Sequence, residues 1–313
     1  MHLLISFASA LSEASSHVLR DLQLPNLARL LARLTPATAD SGDEYTLSPP
    51  HERALAAAWG WQGEDGSLPF AAHAAALDEV DVGKLAWGLV TPAHWHVGRD
   101  HVTLADPEAL QLTEAESRAA FEAVRELFES EAFTLVWGAP SRWYVAHESL
   151  AELPCAALDR VIGRNVDLWI RPGAKANPQA RLVRRLQSEV QLLLYPHAIN
   201  EEREQRGALT LNSFWLSGCG RRQALASNDG VVDDTLRAPL LAQDWAAWAD
   251  AWRALDAGAL ASLLVEAQAG KPTSLTLCGE RNAQRFDNAA RSLWQQLGSR
   301  IKSPEPHTIL EAL

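Results

Sequence analysis

The chain has 313 residues, 47% of them hydrophobic, which is enough for one large or two ordinary domains with packed cores. Its 39 acidic and 28 basic residues give a formal charge of -11, so the average surface repels nucleic acid. Cys155, Cys219 and Cys278 are too few and too far apart for a disulfide framework or a cysteine-rich zinc site. We therefore expect a cytoplasmic protein with reduced cysteines, and no apolar run approaches the roughly 20 residues of a membrane span.

The N-terminal part of the chain predicts an α/β fold. The run "HLLIS" is typical of a strand covered on both faces, and leucines at helical spacing follow between Leu24 and Leu34. The turn-rich segment "TPATADSGDEYTLSPP" predicts a loop. Its final prolines start an alanine-rich helix, "HERALAAAWGW", which places His51 and Glu52 in the first helical turn.

The middle of the chain predicts hairpins and one strongly marked helix. The segments "KLAWGLVTPAHWHV" and "HVTLAD" indicate a hairpin that turns at Gly98-Arg99-Asp100. Thr113 and Glu116 form a capping-box pattern, which predicts a helix running through Phe128. "FTLVWGAPSRWYVAH" then predicts two short strands, and "PGAKANPQ" is typical of a hinge between domains.

The C-terminal third returns to alternating helices and strands. "ARLVRRLQSEVQLLLYPH" predicts a helix that ends near His197, and "ALTLNSFWLSG" predicts a strand. A tryptophan-rich helix, the strand "SLTLCG" and a final helix over "RNAQRFDNAARSLWQQL" follow. We predict an α/β core made of residues 1–83 and 181–313, whose sheet uses the first strand and the C-terminal third. A smaller α+β region covers residues 84–180.

The segment His197–Gly220, "HAINEEREQRGALTLNSFWLSGCG", concentrates the polar residues of interest and is called the signature segment below. Arg203 and Arg206 share one helix face, and Gly207 permits the helix to end. A guanidinium with amide and hydroxyl donors suits a carboxylate or phosphate ligand. The candidate ligand-binding residues are His197, Asn200, Arg203, Asn212 and Ser213. The alternative is that the same side chains brace a helix end against a strand.

The signature segment resembles that of archaeal-type cofactor-independent phosphoglycerate mutases, which belong to the alkaline phosphatase superfamily. The matching residues are His197, Asn200, Arg203, Gly207, Asn212, Trp215, Gly218 and Gly220. "LPNLARLLARL", "AWGW" and "TEAESRAAFEAV" are similar to further segments of the family, and a proteobacterial branch labelled RpfE-type regulatory proteins is closer still. The resemblance implies an alkaline-phosphatase-like core sheet flanked by helices, with an inserted α+β region.

The departures from the family pattern concern its metal site. Phe7-Ala8-Ser9 stands where the family has a metal-binding Asp, and the position of the nucleophilic serine aligns with His51 and Glu52. After Gly220 the chain has one histidine, His307, and no Asp-His pair. A two-metal phosphotransferase needs several such ligands to hold its cations, so we expect no metal and no cofactor.

These observations favour a degenerate phosphoglycerate-mutase-like protein with a binding or regulatory role, whose partner is a phosphorylated small acid. One alternative is metal-independent phosphoryl chemistry in which His51 is the base or phosphate acceptor and Glu52 orients it. For these two residues we favour a solvent-facing first turn, in which Glu52 interacts with the helix dipole. Another is a partner-binding protein that displays Trp245, Trp248 and Trp252 on one helix face, although we favour packing in the core or a subunit contact for these tryptophans. The oligomeric state stays open.

Three further groups have a chemical and a structural interpretation. His94, His96 and His101 cross the predicted hairpin and fit either a zinc site or ordinary packing, which we favour. The glycines of Gly218-Cys219-Gly220 fit an anion-binding nest or a tight turn. The aspartates of "SNDGVVDD" fit no EF-hand spacing, which favours a solvated linker.

Overall fold

The computed structural model describes residues 1–170, 178–226, 230–288 and 305–313. The chain folds as two compact units. Unit 1 contains Met1–Glu44, Pro49–Trp61 and Leu225–Leu313, and unit 2 contains Tyr45–Ser48 and Gln62–Ala224. The domain boundaries expected from the sequence remain a prediction, and residues 62–83 and 181–224 lie within unit 2 here.

The described strands and helices follow in chain order. The strands are β1 (His2–Ile5), β2 (Thr35–Ser41), β3 (Ala86–Ala93), β4 (Trp95–Val97), β5 (Val102–Leu104), β6 (Thr134–Ala139), β7 (Arg142–Ala146), β8 (Ser213–Arg221), β9 (Gly230–Asp233), β10 (Ser274–Cys278) and β11 (Asn282–Asp287). The α-helices are α1 (Glu13–Asp21), α2 (Pro25–Leu31), α3 (Pro50–Trp59), α4 (Phe70–Leu77), α5 (Glu114–Glu129), α6 (Leu158–Val161), α7 (Pro178–Leu194), α8 (Ala198–Gln205), α9 (Arg237–Leu241), α10 (Trp245–Leu255), α11 (Ala261–Gln268) and α12 (Pro306–Leu310). Short 3-10 turns cover Pro107–Leu110, Glu148–Leu150 and Val166–Leu168, and a π-helical segment, Asp256–Leu260, joins α10 to α11.

Unit 1 is built on a five-stranded mixed sheet in the order β2-β11-β10-β1-β9. β1 runs parallel to both of its neighbours, and Leu3 lies opposite Leu275 in β10 and Val231 in β9. β11 is antiparallel to β10, and β2 is antiparallel to β11. The first strand and the C-terminal third therefore supply the centre of the sheet, as the sequence predicts.

Helices cover both faces of this sheet. Leu3 and Ile5 point to one face, where they pack with buried residues of α1, α2, α10, α11 and α12. Leu4 points to the opposite face and packs against Ala54 and Leu55 of α3. The predicted fold class, an α/β protein with a core sheet flanked by helices, is confirmed.

The tryptophan-rich helix α10 belongs to the core of unit 1. Trp248 and Trp252 are both 0% exposed, and their ring centroids lie 6.4 Å apart in an edge-on arrangement. Trp245 is partly buried and packs beside Trp248. Core packing is confirmed for Trp248 and Trp252, so these two tryptophans are not available to a partner.

The start of α2 is capped from a distant part of the chain. Its N-cap residue, Leu24, provides no side-chain hydrogen bond. The carboxylate of Asp256 instead accepts bonds from the backbone N–H groups of Asn26 at 3.1 Å and Leu27 at 2.8 Å. Asp256 is 4% exposed and stands in the π-helical segment, which thus supplies α2 with an N-terminal anion.

Unit 2 is built on an antiparallel sheet in the order β6-β7-β3-β8. Trp87 and Tyr144 pack on one face with the alanines of α4, whereas Trp143 and Phe214 pack on the other with α5 and α7. β4 and β5 form the predicted hairpin. The capping box predicted at Thr113 is present and begins α5.

Three predicted elements are wrong. The solvated linker predicted at "SNDGVVDD" contains β9, because residues 230–233 pair in parallel with β1. Residues 35–41, predicted as loop, form the edge strand β2, whose mostly exposed side chains give no apolar alternation to detect. Residues 282–287, predicted as helix, form β11, because a short turn after β10 lets the backbone pair directly with that strand. The rest of that predicted helix, most of the predicted hinge and Asp229 lie outside the described residues. Within the described ranges, no helix is both long and apolar enough to cross a bilayer.

Candidate functional site

The signature segment begins with a junction between two helices. His197 is the N-cap of α8, and its ring nitrogen Nδ1 accepts a bond from Ile199 N at 3.3 Å. Asn200 is buried and donates from Nδ2 to the carbonyls of Leu194 and Leu211, each at 2.8 Å. Its Oδ1 accepts from Leu211 N at 2.8 Å. Asn200 therefore connects the end of α7 to the chain entering β8.

Arg203 lies at the centre of the same region and is 0% exposed. Its Nε donates to the Leu209 carbonyl at 2.6 Å, and its Nη1 donates to Glu116 Oε1 at 2.7 Å. Its Nη2 donates to the Leu110 carbonyl. All three guanidinium nitrogens thus have partners inside unit 2, which is how a buried arginine avoids a desolvation penalty.

Glu116 combines two structural roles. Its carboxylate accepts bonds from Thr113 N and Oγ1 at 3.0 and 2.7 Å, completing the capping box of α5. The same carboxylate accepts bonds from Arg203 and Arg206. Burial by itself raises the pKa of Glu116, but the hydrogen bonds from Thr113 and the two arginines outweigh it and lower the pKa to about 2.

The last candidate residues of the signature segment lie where β8 begins. Asn212 accepts from Trp95 N at 2.7 Å and donates to the Trp95 carbonyl at 3.0 Å, so it joins β8 to the start of β4. Ser213 is buried, and its Oγ has no hydrogen-bond partner in the described part of the chain. The hydrogen bonds in the signature segment favour the interpretation that these residues brace a helix end against a strand. The residues that make these bonds are His197, Asn200, Arg203 and Asn212.

The glycines at the end of the signature segment allow a close approach between β8 and α4. Gly218 has φ 62°, and a Cβ there would lie 2.8 Å from the backbone nitrogen of Ala71. Gly220 packs against Pro69. Both glycines lie within the strand, which departs from the expected nest or tight turn.

His51 and Glu52 lie in the first turn of α3, as predicted, and both are partly buried. The ring of His51 is 5.1 Å from that of Phe7, centroid to centroid. Phe7 lies two residues after the carboxyl end of β1 and adopts a left-handed φ of 56°. His51 therefore lies near the sheet edge where open α/β sheets bind ligands.

The carboxyl end of β1 is closely packed and carries no carboxylate of its own. Ser6 Oγ donates to the Asp233 carbonyl at 3.2 Å, and Ala8 N donates to the Cys278 carbonyl at 2.8 Å. A Cβ at Gly279 would lie only 2.3 Å from Ser9 Oγ. The segment Phe7-Ala8-Ser9, where the sequence resemblance leads us to expect a metal-binding Asp, is thus closely packed and supplies no carboxylate.

The described residues hold no group of three or more His, Cys, Asp or Glu side chains that could bind a metal ion. His94 Nε2 lies 3.1 Å from His96 Nδ1, while His94 Nδ1 lies 2.7 Å from the Thr210 carbonyl. Burial lowers the pKa of His94, and His96 and Arg203 lower it further against the opposing bond to Thr210. His101 does not complete a three-histidine group with this pair, so the packing interpretation is favoured.

Two adjoining cavities, together called the His2 cavity, lie on the α3 side of the unit 1 sheet. Their volumes are about 490 and 360 Å³, and His2, Ala58 and Arg285 line both. His2 Nε2 lies 2.9 Å from Thr276 Oγ1, and Arg285 Nε donates to Asp287 at 3.0 Å. Burial and the charge of Arg285 lower the pKa of His2.

Sequence reasoning missed the His2 cavity because its residues come from both ends of the chain. Thr276 lies 274 positions from His2 in the sequence.

A second missed group, in unit 2, joins Asp78, Arg142 and Tyr144. Asp78 accepts two hydrogen bonds from Arg142 and one from Tyr144 at 2.7 Å. The bonds from Arg142 lower the pKa of Asp78 against the effect of its burial. The sequence signal that could have found both the His2 cavity and this group is a polar residue within a largely apolar strand, His2 in β1 and Tyr144 in β7.

Solved structures with a similar course of the chain include two archaeal proteins. A cofactor-independent phosphoglycerate mutase from Thermoplasma acidophilum gives a TM-score of 0.39 at 12% identity, over 100% of this chain and 98% of that one. The PH0037 protein of Pyrococcus horikoshii gives a TM-score of 0.45 at 13% identity, over 91% of this chain and 87% of that one. Likenesses this weak transfer no activity. No protein-family model matches the chain, and no curated protein matches it either.

Proposed function

We propose that this protein is a phosphoglycerate-mutase-like binding protein with a degenerate catalytic site, acting in regulation as the RpfE-type branch is labelled. Its ligand is a phosphorylated small acid, and it acts in the cytoplasm. The observation that carries the proposal is that the most conspicuous charge of the signature segment, Arg203, is fully buried and bonded within unit 2. A segment whose side chains stabilise the fold is retained even when the catalytic site of the family it resembles is lost.

The His2 cavity is the place we propose for the ligand. Its volume is within the range of small-molecule sites, and it combines apolar walls from Leu55 and Trp59 with polar groups. A guanidinium has five N–H donors, and within the described structure Arg285 uses one of them, on Asp287. The others suit the oxygens of a phosphate or carboxylate.

Thermal melts with 3-phosphoglycerate test this proposal. A ligand at about 100 times its dissociation constant adds roughly 2.7 kcal/mol to the folded state, which raises the melting temperature measurably. We expect wild type to show this rise and Arg285→Met to lose it. Arg253→Met is the matched control, because Arg253 is also an aspartate-paired arginine of unit 1 but is more exposed than Arg285 and lies outside the cavity.

Arg203→Met separates the cavity from the signature segment. We expect this variant to be destabilised without ligand by about 1–3 kcal/mol, because it leaves buried acceptors unpaired, and to keep the ligand-dependent rise. If Arg203→Met alone loses the ligand-dependent rise in melting temperature, the ligand binds at the signature segment and not in the His2 cavity. No rise in wild type with 3-phosphoglycerate or related phosphorylated acids would contradict the binding proposal.

A second candidate function is metal-independent phosphoryl transfer by His51. The observation that favours it is the position of His51 beside Phe7 at the carboxyl end of β1. The test is conversion of 3-phosphoglycerate to 2-phosphoglycerate in the presence of a chelator. Activity that is present in wild type and absent in a folded His51→Gln variant would support this function over simple binding.

A further inference from the structure

Cys155 and Cys219 bring their sulfur atoms to 3.7 Å from each other within unit 2. Cys219 stands in β8 between Gly218 and Gly220, and Cys155 lies in the segment that precedes α6. The backbone N–H of Cys155 donates to the Gly66 carbonyl at 2.9 Å, which fixes that segment. A disulfide bond is about 2.05 Å long, so the sulfurs need to approach by roughly 1.7 Å.

The two thiols differ in their access to solvent. Cys219 is 0% exposed and belongs to the apolar core of unit 2, whereas Cys155 is partly exposed at the edge of that core. The contact with Cys155, together with burial, raises the pKa of the Cys219 thiol. A small oxidant therefore meets Cys155 first, and the buried Cys219 is placed to react with the product.

We propose that Cys155 and Cys219 form a reversible disulfide when the protein meets a hydroperoxide. The Cys155 thiolate sulfur attacks one peroxide oxygen, so an S–O bond forms, the O–O bond breaks, and the departing oxygen takes the proton that Cys155 released. The Cys219 sulfur then attacks the Cys155 sulfur, so the S–S bond forms and the S–O bond breaks. The leaving hydroxide takes the Cys219 proton and becomes water. The two sulfurs together lose two electrons, and the peroxide gains them.

The new bond ties β8 to the segment before α6 across 64 positions of sequence. Closing a loop of this length restricts the unfolded chain and stabilises the folded one. We expect the oxidised protein to melt roughly 5–10 °C above the reduced protein. Dithiothreitol should return the melting temperature to its starting value.

Thiol counting and peptide mapping after treatment with hydrogen peroxide test the proposal directly. The reduced protein has three thiols. We expect the count to fall to one, the mass to fall by two hydrogens, and one linked peptide pair to contain Cys155 and Cys219. In Cys219→Ser, Cys155 should instead accumulate as a sulfenic acid that dimedone traps.

Cys278→Ser is the matched control, because Cys278 is a fully buried strand cysteine of unit 1. This variant should still form the linked pair and finish with no free thiol. It also keeps the test valid if Cys219→Ser fails to fold. The proposal is overturned if wild type keeps three thiols, if Cys278 is consumed as fast as Cys155, or if Cys155 is oxidised to sulfinic acid without the linked pair.

Discussion

At the scale of single residues, Glu116 links local and distant parts of unit 2. A capping-box glutamate ordinarily serves its own helix, but here the same carboxylate also neutralises Arg203, which is fully buried. Arg206 shares the carboxylate from the more exposed side. One acidic group thus holds the start of α5 and the end of α8 together, and its protonation removes both functions.

Replacing Glu116 by Gln should flatten the acid limb of the stability curve. The folded pKa of about 2 lies below the ordinary value of 4.5, so ionised Glu116 contributes stability that is present above about pH 4.5 and lost as the pH falls toward about 2. We expect Glu116→Gln to be much less stable than wild type at pH 7. The difference should shrink between pH 5 and pH 2 in urea unfolding experiments.

Glu114→Gln is the control for this prediction. Glu114 lies in the same first turn of α5 and pairs with Arg118, but both side chains are more than half exposed. Exposed pairs of this kind contribute about 0.3–0.5 kcal/mol, so this variant should follow the wild-type acid limb. If the stability of the two variants has the same pH dependence, the ion pair between Glu116 and the buried Arg203 makes no specific contribution to the acid limb.

At the scale of elements, the distance to neighbouring atoms distinguishes the roles of Gly207 and Gly218. Gly207 and Gly218 both have left-handed φ values, 72° and 62°. A Cβ at Gly207 meets nothing within 4 Å, whereas a Cβ at Gly218 meets the backbone of α4 at 2.8 Å. The first glycine ends a helix, and the second sets the spacing between β8 and α4.

Alanine substitutions should separate backbone strain from the packing of β8 against α4. Gly207→Ala should cost about 1 kcal/mol, the strain of a left-handed residue alone. Gly218→Ala should cost roughly 2–4 kcal/mol, because overpacking adds to the same strain. Denaturant unfolding measures both. A cost for Gly218→Ala no larger than that for Gly207→Ala would mean that α4 shifts freely away from β8.

The π-helical segment should stabilise α2 through the carboxylate of Asp256. Asp256→Ala should destabilise the protein by about 1–3 kcal/mol, because it leaves the N–H groups of Asn26 and Leu27 without their buried acceptor. Asp250→Ala is the control, since that side chain is 78% exposed and makes a surface ion pair. Its effect should stay below about 0.5 kcal/mol. Similar losses in the two variants would contradict a capping role for Asp256.

At the scale of the whole molecule, sequence reasoning succeeded where the signal is local and failed where it is distant. The capping box at Thr113 was predictable because its partners are three residues apart. The pairing of Arg203 with Glu116 joins residues 87 positions apart and has no local pattern. β2 was missed because its side chains are mostly exposed, so the hydrogen bonds that define it involve only the backbone. The sequence singles out the polar residues of the signature segment, but whether they brace the fold or bind a ligand depends on distant partners that have no local pattern.

The whole protein should lack metal-dependent phosphoglycerate mutase activity. Two-metal phosphoryl transfer needs several carboxylate and imidazole ligands around adjacent cations. The described residues hold no cluster of three such side chains, and the sequence outside them adds one, Asp229. We therefore expect an enolase-coupled assay with manganese, magnesium, cobalt or zinc to show no turnover of 3-phosphoglycerate near the roughly 1 per second typical of enzymes. His51→Gln identifies a contaminant, because a contaminating mutase is indifferent to that substitution. Metal-dependent turnover that His51→Gln abolishes in a folded protein would contradict the prediction and restore a catalytic role to the carboxyl end of β1.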